Sequence, residues 1–257
     1  MIGELEGHVA ELEAMRKYPD TLSYIGNPKL LSRVKVSIVG TRKPTPYTRQ
    51  FTFDLAQKLS QQGVCIVSGA AMGVDSIAHQ GAGADNTIAV MGNGLDIRYP
   101  AINRPMIEAI ETNGLCISPF EPGFKATQWS FVVRNEIVAA LGDVLIVAQA
   151  DLGSGSLRSV AFAQKMGKPI YVLPQRLDES LGTNALLADA EAEAIYDIDR
   201  FVQRWAMTKH RQTDDPILQF CADGPTYEAA VTRFGDALFE YELEGKIKVV
   251  SGQVLCV

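Results

Sequence analysis

The sequence predicts an α/β protein: an extended, Rossmann-like, doubly wound and mostly parallel sheet, followed by a small C-terminal winged-helix-like domain. Three observations carry the expectation. Short apolar runs alternate with stretches of helical spacing through residues 32–206. Those runs are continuously apolar instead of alternating with polar residues, which is the pattern of strands covered by helices on both faces. Beyond residue 206 a polar stretch, MTKHRQTDDP, leads into short helical segments and a pair of strands around Ser251-Gly252.

In chain order, residues 1–31 read as a short helical extension, because MIGELEGHVAELEAMRKYPD is charged and lacks the apolar core of a signal segment. The first strand is KVSIVG. It is followed by TRQFTFDLAQKLSQQG, whose Phe51, Leu55 and Leu59 recur four apart as on one helix face. VCIVSG, TIAVMG, LCISPF, DVLIVAQ and PIYVLP supply five more strands, and EAIYDI a possible seventh. The main domain is expected over 32–206, a linker over 207–214 and the small domain over 215–257, where three short helices and the hairpin IKVVSGQVLCV fit a winged helix.

Composition narrows the function classes. At 47% apolar and 21% charged residues, 257 positions suit one domain of about 200 residues with a small appendage. No apolar run approaches the roughly 18 residues of a membrane span, so a cytoplasmic protein without membrane contact is expected. Cys65, Cys116, Cys221 and Cys256 are far apart and lack metal-ligand spacing, and are read as buried, reduced thiols. His8, His79 and His210 are equally scattered. Neither zinc nor Ser-His-Asp chemistry has its parts, so no metal, cofactor or catalytic residue is expected.

The net charge of −6 is unevenly spread: residues 213–257 hold three basic and eight acidic side chains, the first 212 residues 21 and 22. A polyanion site therefore belongs to the larger part, as a local patch. Ligands of such sheets bind beyond the carboxyl ends of the strands. A dinucleotide fold would place Gly-x-Gly-x-x-Gly after the first strand. Here Gly40 is followed by Thr41, Arg42, Lys43, Pro44, Thr45 and Pro46. Gly40 lets backbone approach an anion, Thr41 offers a hydroxyl, Arg42 a planar fork for phosphate oxygens, and the prolines stiffen the loop. The plain alternative is a solvated basic turn.

The next strand ends, SGAAMGVDSIAHQGA and VMGNGLDIRYP, put small residues before helices, where free N–H groups and the helix dipole favour an anion. Asp75 reads as a cap or loop anchor, and Asp96, Tyr99 and Asn103 as turn-fixing residues. The connection 120–142 carries Phe120, Phe124, Trp129, Phe131 and Arg134. Aromatics beside cations make stacking platforms for unpaired bases, and Phe131 and Arg134 share a helix face. Trp129 is equally a core candidate. A last small-residue helix start, Gly153-Ser154-Gly155-Ser156, opens a helix that carries Lys165 on its final turn.

Taken in order, SIVGTRKPTPY, SGAAMGVDSIAH, VMGNGLDIRYPAIN, FVVRNEIVAAL, SGSLRSVAFAQKMGKPIYVLP and GTNALL resemble the DNA processing protein A family (DprA, also called Smf) across roughly residues 32–195. The resemblance implies a homodimeric protein that binds single-stranded DNA during natural transformation and helps to load RecA recombinase, with a winged-helix domain at the end of many members. It implies DNA contacts at Gly40, Thr41 and Arg42, at Ser68 and Gly69, at Phe131, Arg134 and Asn135, and at Lys165. Two departures stand out: Glu136 replaces a basic residue usual after Arg-Asn, and only about 30 residues precede the first strand, where many relatives have a helical domain.

Two rival classes are weighed against this reading. Nucleotide N-glycosidases of the lysine-decarboxylase-like relatives share the sheet but use Pro-Gly-Gly-x-Gly-Thr-x-x-Glu. The matching DLGSGSLRSV has no acid at the helix start. A duplex-binding regulator acting through the tail must bring a segment of local charge −5 to phosphates.

Overall fold

Continuous apolar runs become strands where both faces can be covered. In the computed structural model, which describes residues 2–5, 7–211, 215–221, 224–250 and 252–256, this happens in the first of two compact units, residues 1–198. Its elements are β1 (Gly3–Glu4), β2 (Ser23–Gly26), β3 (Lys35–Val39), α1 (Pro46–Gln61), β4 (Cys65–Ser68), α2 (Val74–Ala82), β5 (Thr87–Val90), α3 (Arg104–Asn113) and β6 (Leu115–Ser118). There follow α4 (Gln128–Leu141), β7 (Val144–Val147), α5 (Gly155–Lys165), β8 (Ile170–Val172), α6 (Leu181–Ala188) and β9 (Glu193–Ala194).

The nine strands form one sheet in the order β1-β2-β6-β5-β4-β3-β7-β8-β9. From β6 to β9 all pairs are parallel, as expected for βα crossovers. Alternate residues face opposite layers. Ile88 and Val90 join a core with Ile137 and Leu141 of α4 and Val160 of α5, whereas Ala89 and Met91 join Ile107 and Ile110 of α3. The winding runs outward from β3 through β4, β5 and β6, then returns to β7 on the other side of β3. The switch point therefore lies between β3 and β7, and a crevice belongs at their carboxyl ends.

Three expectations are corrected. Residues 1–31 are not a helical extension: β2 pairs antiparallel with β6, from Ser23 against Ser118 to Gly26 against Leu115, and β1 pairs with β2. Pro19, Gly26 and Pro28 break any helix there, while Tyr24 and Ile25 pack against opposite cores as a strand requires. On α1 the buried stripe is Thr48, Thr52, Leu55, Ala56 and Leu59, and Phe51 is exposed. Residues 207–211, read as linker, continue α7 (Ile198–Arg211), which the apolar positions Ile198, Phe201, Val202 and Trp205 begin with helical spacing. Residues 212–214 of that stretch lie outside the described residues.

The second unit, residues 199–257, contains most of α7, then α8 (Pro216–Cys221), α9 (Tyr227–Phe234), α10 (Ala237–Leu243) and an antiparallel hairpin of β10 (Ile247–Val250) and β11 (Gln253–Cys256). Leu238 is buried with Ile217, Cys221, Ala230, Ile247 and Val254, and Phe234 and Tyr241 pack against this cluster. Cys65, Cys116 and Cys221 are buried free thiols, and desolvation pushes the Cys65 thiol up to about 12. The side chain of Cys256 lies outside the described residues. Among the described residues no helix is long and apolar enough to cross a membrane, and no group of three metal-ligating side chains converges.

Candidate nucleic-acid interface

A cavity of about 470 Å³ opens at the carboxyl ends of β3 and β7. Four short pieces of sequence build it: the loop after β3, the start of α2, the middle of α4 and the stretch from the loop after β7 into the N-terminus of α5. The first loop is rigid because its backbone is fastened on both sides. Thr41 N–H donates to the Gln149 carbonyl at 2.8 Å, and the Thr41 carbonyl accepts from Val74 N–H at 3.1 Å. Gly40 is obligatory for this approach, since a Cβ there would lie 2.6 Å from Val74 Cγ2. The loop ends where the Thr45 hydroxyl caps α1 by accepting from Thr48 N–H at 3.2 Å. Arg42 is exposed, and its guanidinium has no ion-pair partner among the described residues.

Arg134 is the buried counterpart of Arg42, only 6% exposed. Its Nη1 donates to Asp75 Oδ2 at 3.2 Å, and its Nε, also buried, has no hydrogen-bond partner. Burial pushes the guanidinium below the usual arginine range, with Asp75 opposing that shift and Arg42 adding to it. The side chain passes directly over Gly69, where a Cβ would fall 1.1 Å from Nη1. Gly69 is thus the space that Arg134 occupies. Asp75 is an anchor, accepting from Ala71 N–H at 3.4 Å as well as from Arg134.

Phe131, one turn before Arg134 on α4, is half-buried at the mouth of this region. Its ring centroid is 5.8 Å from the Arg42 guanidinium, 5.7 Å from that of Arg134 and 6.0 Å from the Tyr99 ring. Both cations are within cation–π range. With Gly69, Met72, Gly92 and Tyr99 the ring lines a small cleft beside the cavity, and Gly92 leaves room for it, since a Cβ there would lie 2.9 Å from Phe131 Cδ1. Asn135 lines the main cavity and donates to the Gly155 carbonyl at 3.3 Å. Opposite, the N-terminus of α5 contributes Ser154, Gly155 and Ser156. The Ser154 hydroxyl makes no cap, and its Oγ is buried without a partner.

The sequence-derived residues therefore divide. Gly40, Thr41, Arg42, Arg134 and Asn135 line the cavity, and Gly69 and Phe131 the adjoining cleft. Ser68 does not reach it: the residue is fully buried and its hydroxyl donates to the Ile38 carbonyl at 2.6 Å. Lys165 sits at the opposite end of α5, 10 residues from Gly155 and so about 15 Å along the axis, and lines neither opening. Lys168, beyond it, caps the α4 end by donating to the Ala140 and Gly142 carbonyls. Glu136 is buried and accepts from Arg16 N–H at 2.9 Å, which ties α4 to the N-terminal segment. Trp129 is 62% exposed and not core, whereas Phe120 beneath it is buried.

Sequence reasoning missed Tyr99 as a lining residue, treating it as turn-fixing, and missed Gln149 and Met72 altogether. Tyr99 in RYP could have been found as an aromatic at a strand's carboxyl side. Gln149 had no such signal. Asp96 and Asn103 do fix turns, accepting from Gly123 N–H at 2.8 and 2.9 Å and donating to the Ala70 carbonyl at 3.0 Å respectively.

Comparison with known proteins gives the family. Residues 6–206 match the family model for DNA recombination-mediator protein A. DNA processing protein DprA of Streptococcus pneumoniae is 35% identical over 173 residues, 66% of this chain and 61% of that protein. Protein Smf of Synechocystis is 39% identical over 145 residues, 56% of this chain and 36% of its own length, so the chain spans about a third to two thirds of such relatives. A solved structure of DNA processing protein A from Helicobacter pylori, described by its single-stranded DNA binding mode, superposes with a TM-score of 0.80 at 43% identity, covering 81% of this chain and 97% of that one. The S. pneumoniae structure gives 0.69 at 33% identity over 74% and 68%. A Rossmann-like sheet with a built, cation-lined crevice at its switch point, together with a family match over most of its length, makes this chain a member of the DNA recombination-mediator protein A (DprA/Smf) family.

Proposed function

We propose that the first unit binds single-stranded DNA without catalysing a reaction on it, in DNA processing for recombination and natural transformation. The observation that carries the reading is the half-buried Phe131 ring with two guanidiniums within 6 Å, beside a cavity whose far wall is a helix N-terminus. An aromatic face takes any base, and Arg42, Arg134 and the amides of α5 take phosphate. Gly40 and Thr41 hold the backbone close, and Asn135 and Gly69 position what lies against them. A duplex would not offer an unstacked base to such a ring. Of the carboxylates lining the cavity, Asp75 is committed to Arg134, leaving Asp151 without a second acid for general acid–base work.

In the same reading the chain is a homodimer that acts with RecA recombinase, and the second unit is a winged-helix-like module for protein contact. The part of it that follows α7 is unsuited to phosphate: α10 carries no Lys or Arg, and residues 213–257 hold eight acidic against three basic side chains.

The test is titration of the purified chain with labelled single-stranded and duplex oligonucleotides over a salt series. Preference for single strands, with log affinity falling steeply with log salt, is the expected result. Arg42→Ala should lose about 1.5–3 kcal/mol of single-strand affinity, the worth of a charge-assisted hydrogen bond. Equal affinity for both forms, or an unaffected Arg42 variant, would overturn the reading.

A further inference from the structure

Next to the first cavity, on the same carboxyl edge of the sheet, a second groove of about 570 Å³ runs between the first turn of α1 and the loop after β8. Thr45 and Tyr47 line one side, Gln175, Arg176 and Glu179 the other. The two openings share a wall. Gln149 lines the first, and its Oε1 accepts at 3.0 Å from the N–H of Thr45, which lines the second.

The groove has two properties that packing does not explain. Tyr47 is 43% exposed, and its ring lies 4.6 Å from that of Phe51, one turn on, so an aromatic pair stands on the solvent side of α1. Exposed aromatics held in place by each other are a stacking platform more readily than a core remnant. Arg176 is 88% exposed in its side chain and meets Glu179 at only 4.0 Å, a contact that leaves the cation available to an anion. Gln175 is a fixed part of the groove wall, its Nε2 donating to the Ala148 carbonyl at 2.9 Å and to Thr48 Oγ1 at 3.1 Å and its Oε1 buried.

We propose that this groove is a second base subsite, through which a single strand seated in the first cavity continues over the Thr45–Gln149 wall: one base stacks on Tyr47, buttressed by Phe51, and a flanking phosphate faces Arg176. The inference rests on the single-strand reading of the first cavity. It adds a path and a length requirement that the first cavity alone does not have.

The experiment uses the full chain with oligothymidylates of increasing length, and with 5-iodouracil placed at successive positions for photocrosslinking. Wild-type protein should gain affinity with length and crosslink at both the Phe131 and the Tyr47 peptides. Tyr47→Ala should bind the shortest oligonucleotide unchanged but lose roughly tenfold on the longer ones, the scale of one stacked base. Tyr47→Phe should restore the gain, because the ring is retained. An unaltered length dependence in Tyr47→Ala, or no crosslink at the Tyr47 peptide, would overturn the proposal while leaving Arg42-dependent binding intact. Conversion of dimer to monomer by Tyr47→Ala, seen by light scattering with binding otherwise normal, would mark the face as a contact between copies and overturn it too. Absence of any single-strand binding by wild-type protein would remove both readings together.

Discussion

Gly69 and Arg134 are one structural device written at two distant positions, and single substitutions expose it. A methyl group at Gly69 would occupy the place of Arg134 Nη1, so Gly69→Ala should displace the guanidinium from Asp75. The expected cost to single-strand affinity is about 1.5–3 kcal/mol, with the folded state retained, as measured by oligonucleotide titration beside a thermal melt. His79 supplies a second prediction. It is buried, its Nδ1 is 2.7 Å from Thr87 Oγ1, and desolvation pushes its pKa down to about 3. A histidine depressed in the folded state binds its proton only on unfolding, between roughly pH 6.5 and 3. Its contribution is intact above 6.5 and is lost as pH falls through that window, by up to about 1.4 kcal/mol per pH unit. His79→Leu should flatten the fall in urea-unfolding free energy between pH 6 and 4.5 by part of that slope, and an unchanged slope would contradict the assignment. At this scale the sequence revealed residue type and adjacency but not direction. Asn135 came only with the family resemblance, whereas Phe131 and Arg134 were legible as neighbours because helical spacing puts them on one face of α4. Ser68 and Lys165 were not, since one points into the sheet and the other stands at the wrong end of its helix.

Among elements, the inner strands β3 to β8 were legible because burial on both faces leaves a continuous apolar run, a local signal. β2 was not, because SYIG is a strand only in answer to the open edge of β6, far away in sequence. The misreading of Phe51 has a related cause: counting apolar residues overlooks Thr48 and Thr52, small enough to be buried where α1 packs tightly. Shielding by β2 leads to a third prediction. Removal of residues 1–26 should leave uncovered the unpaired N–H and C=O groups of β6 and the part of the core that Leu12 and Leu22 pack against, with a lower melting temperature and concentration-dependent aggregation by light scattering. A truncated chain that stays soluble with an unchanged melt would show that the edge needs no cover.

For the molecule as a whole, charge is unevenly spread along the chain, and the change comes after α7, inside the second unit. The first 212 residues are nearly balanced, 21 basic against 22 acidic, whereas the remainder is strongly acidic. A chain ending at Arg211 should therefore keep single-strand affinity within a fewfold of the full chain at 0.15 M salt, or gain slightly as repulsion is removed. A tenfold loss in a folded protein would place the tail on DNA. Dimerisation through the first unit would let one strand engage two crevices, so that a long oligonucleotide binds more tightly than a short one beyond the gain from any single protomer. Light scattering showing only monomer at micromolar concentration, with and without oligonucleotide, would rule this out. The antiparallel edge has a further meaning in time. β2 is synthesised before β6, so when Leu115–Ser118 leaves the ribosome its shielding partner is already waiting, and the sheet need never present that border bare in the crowded cell.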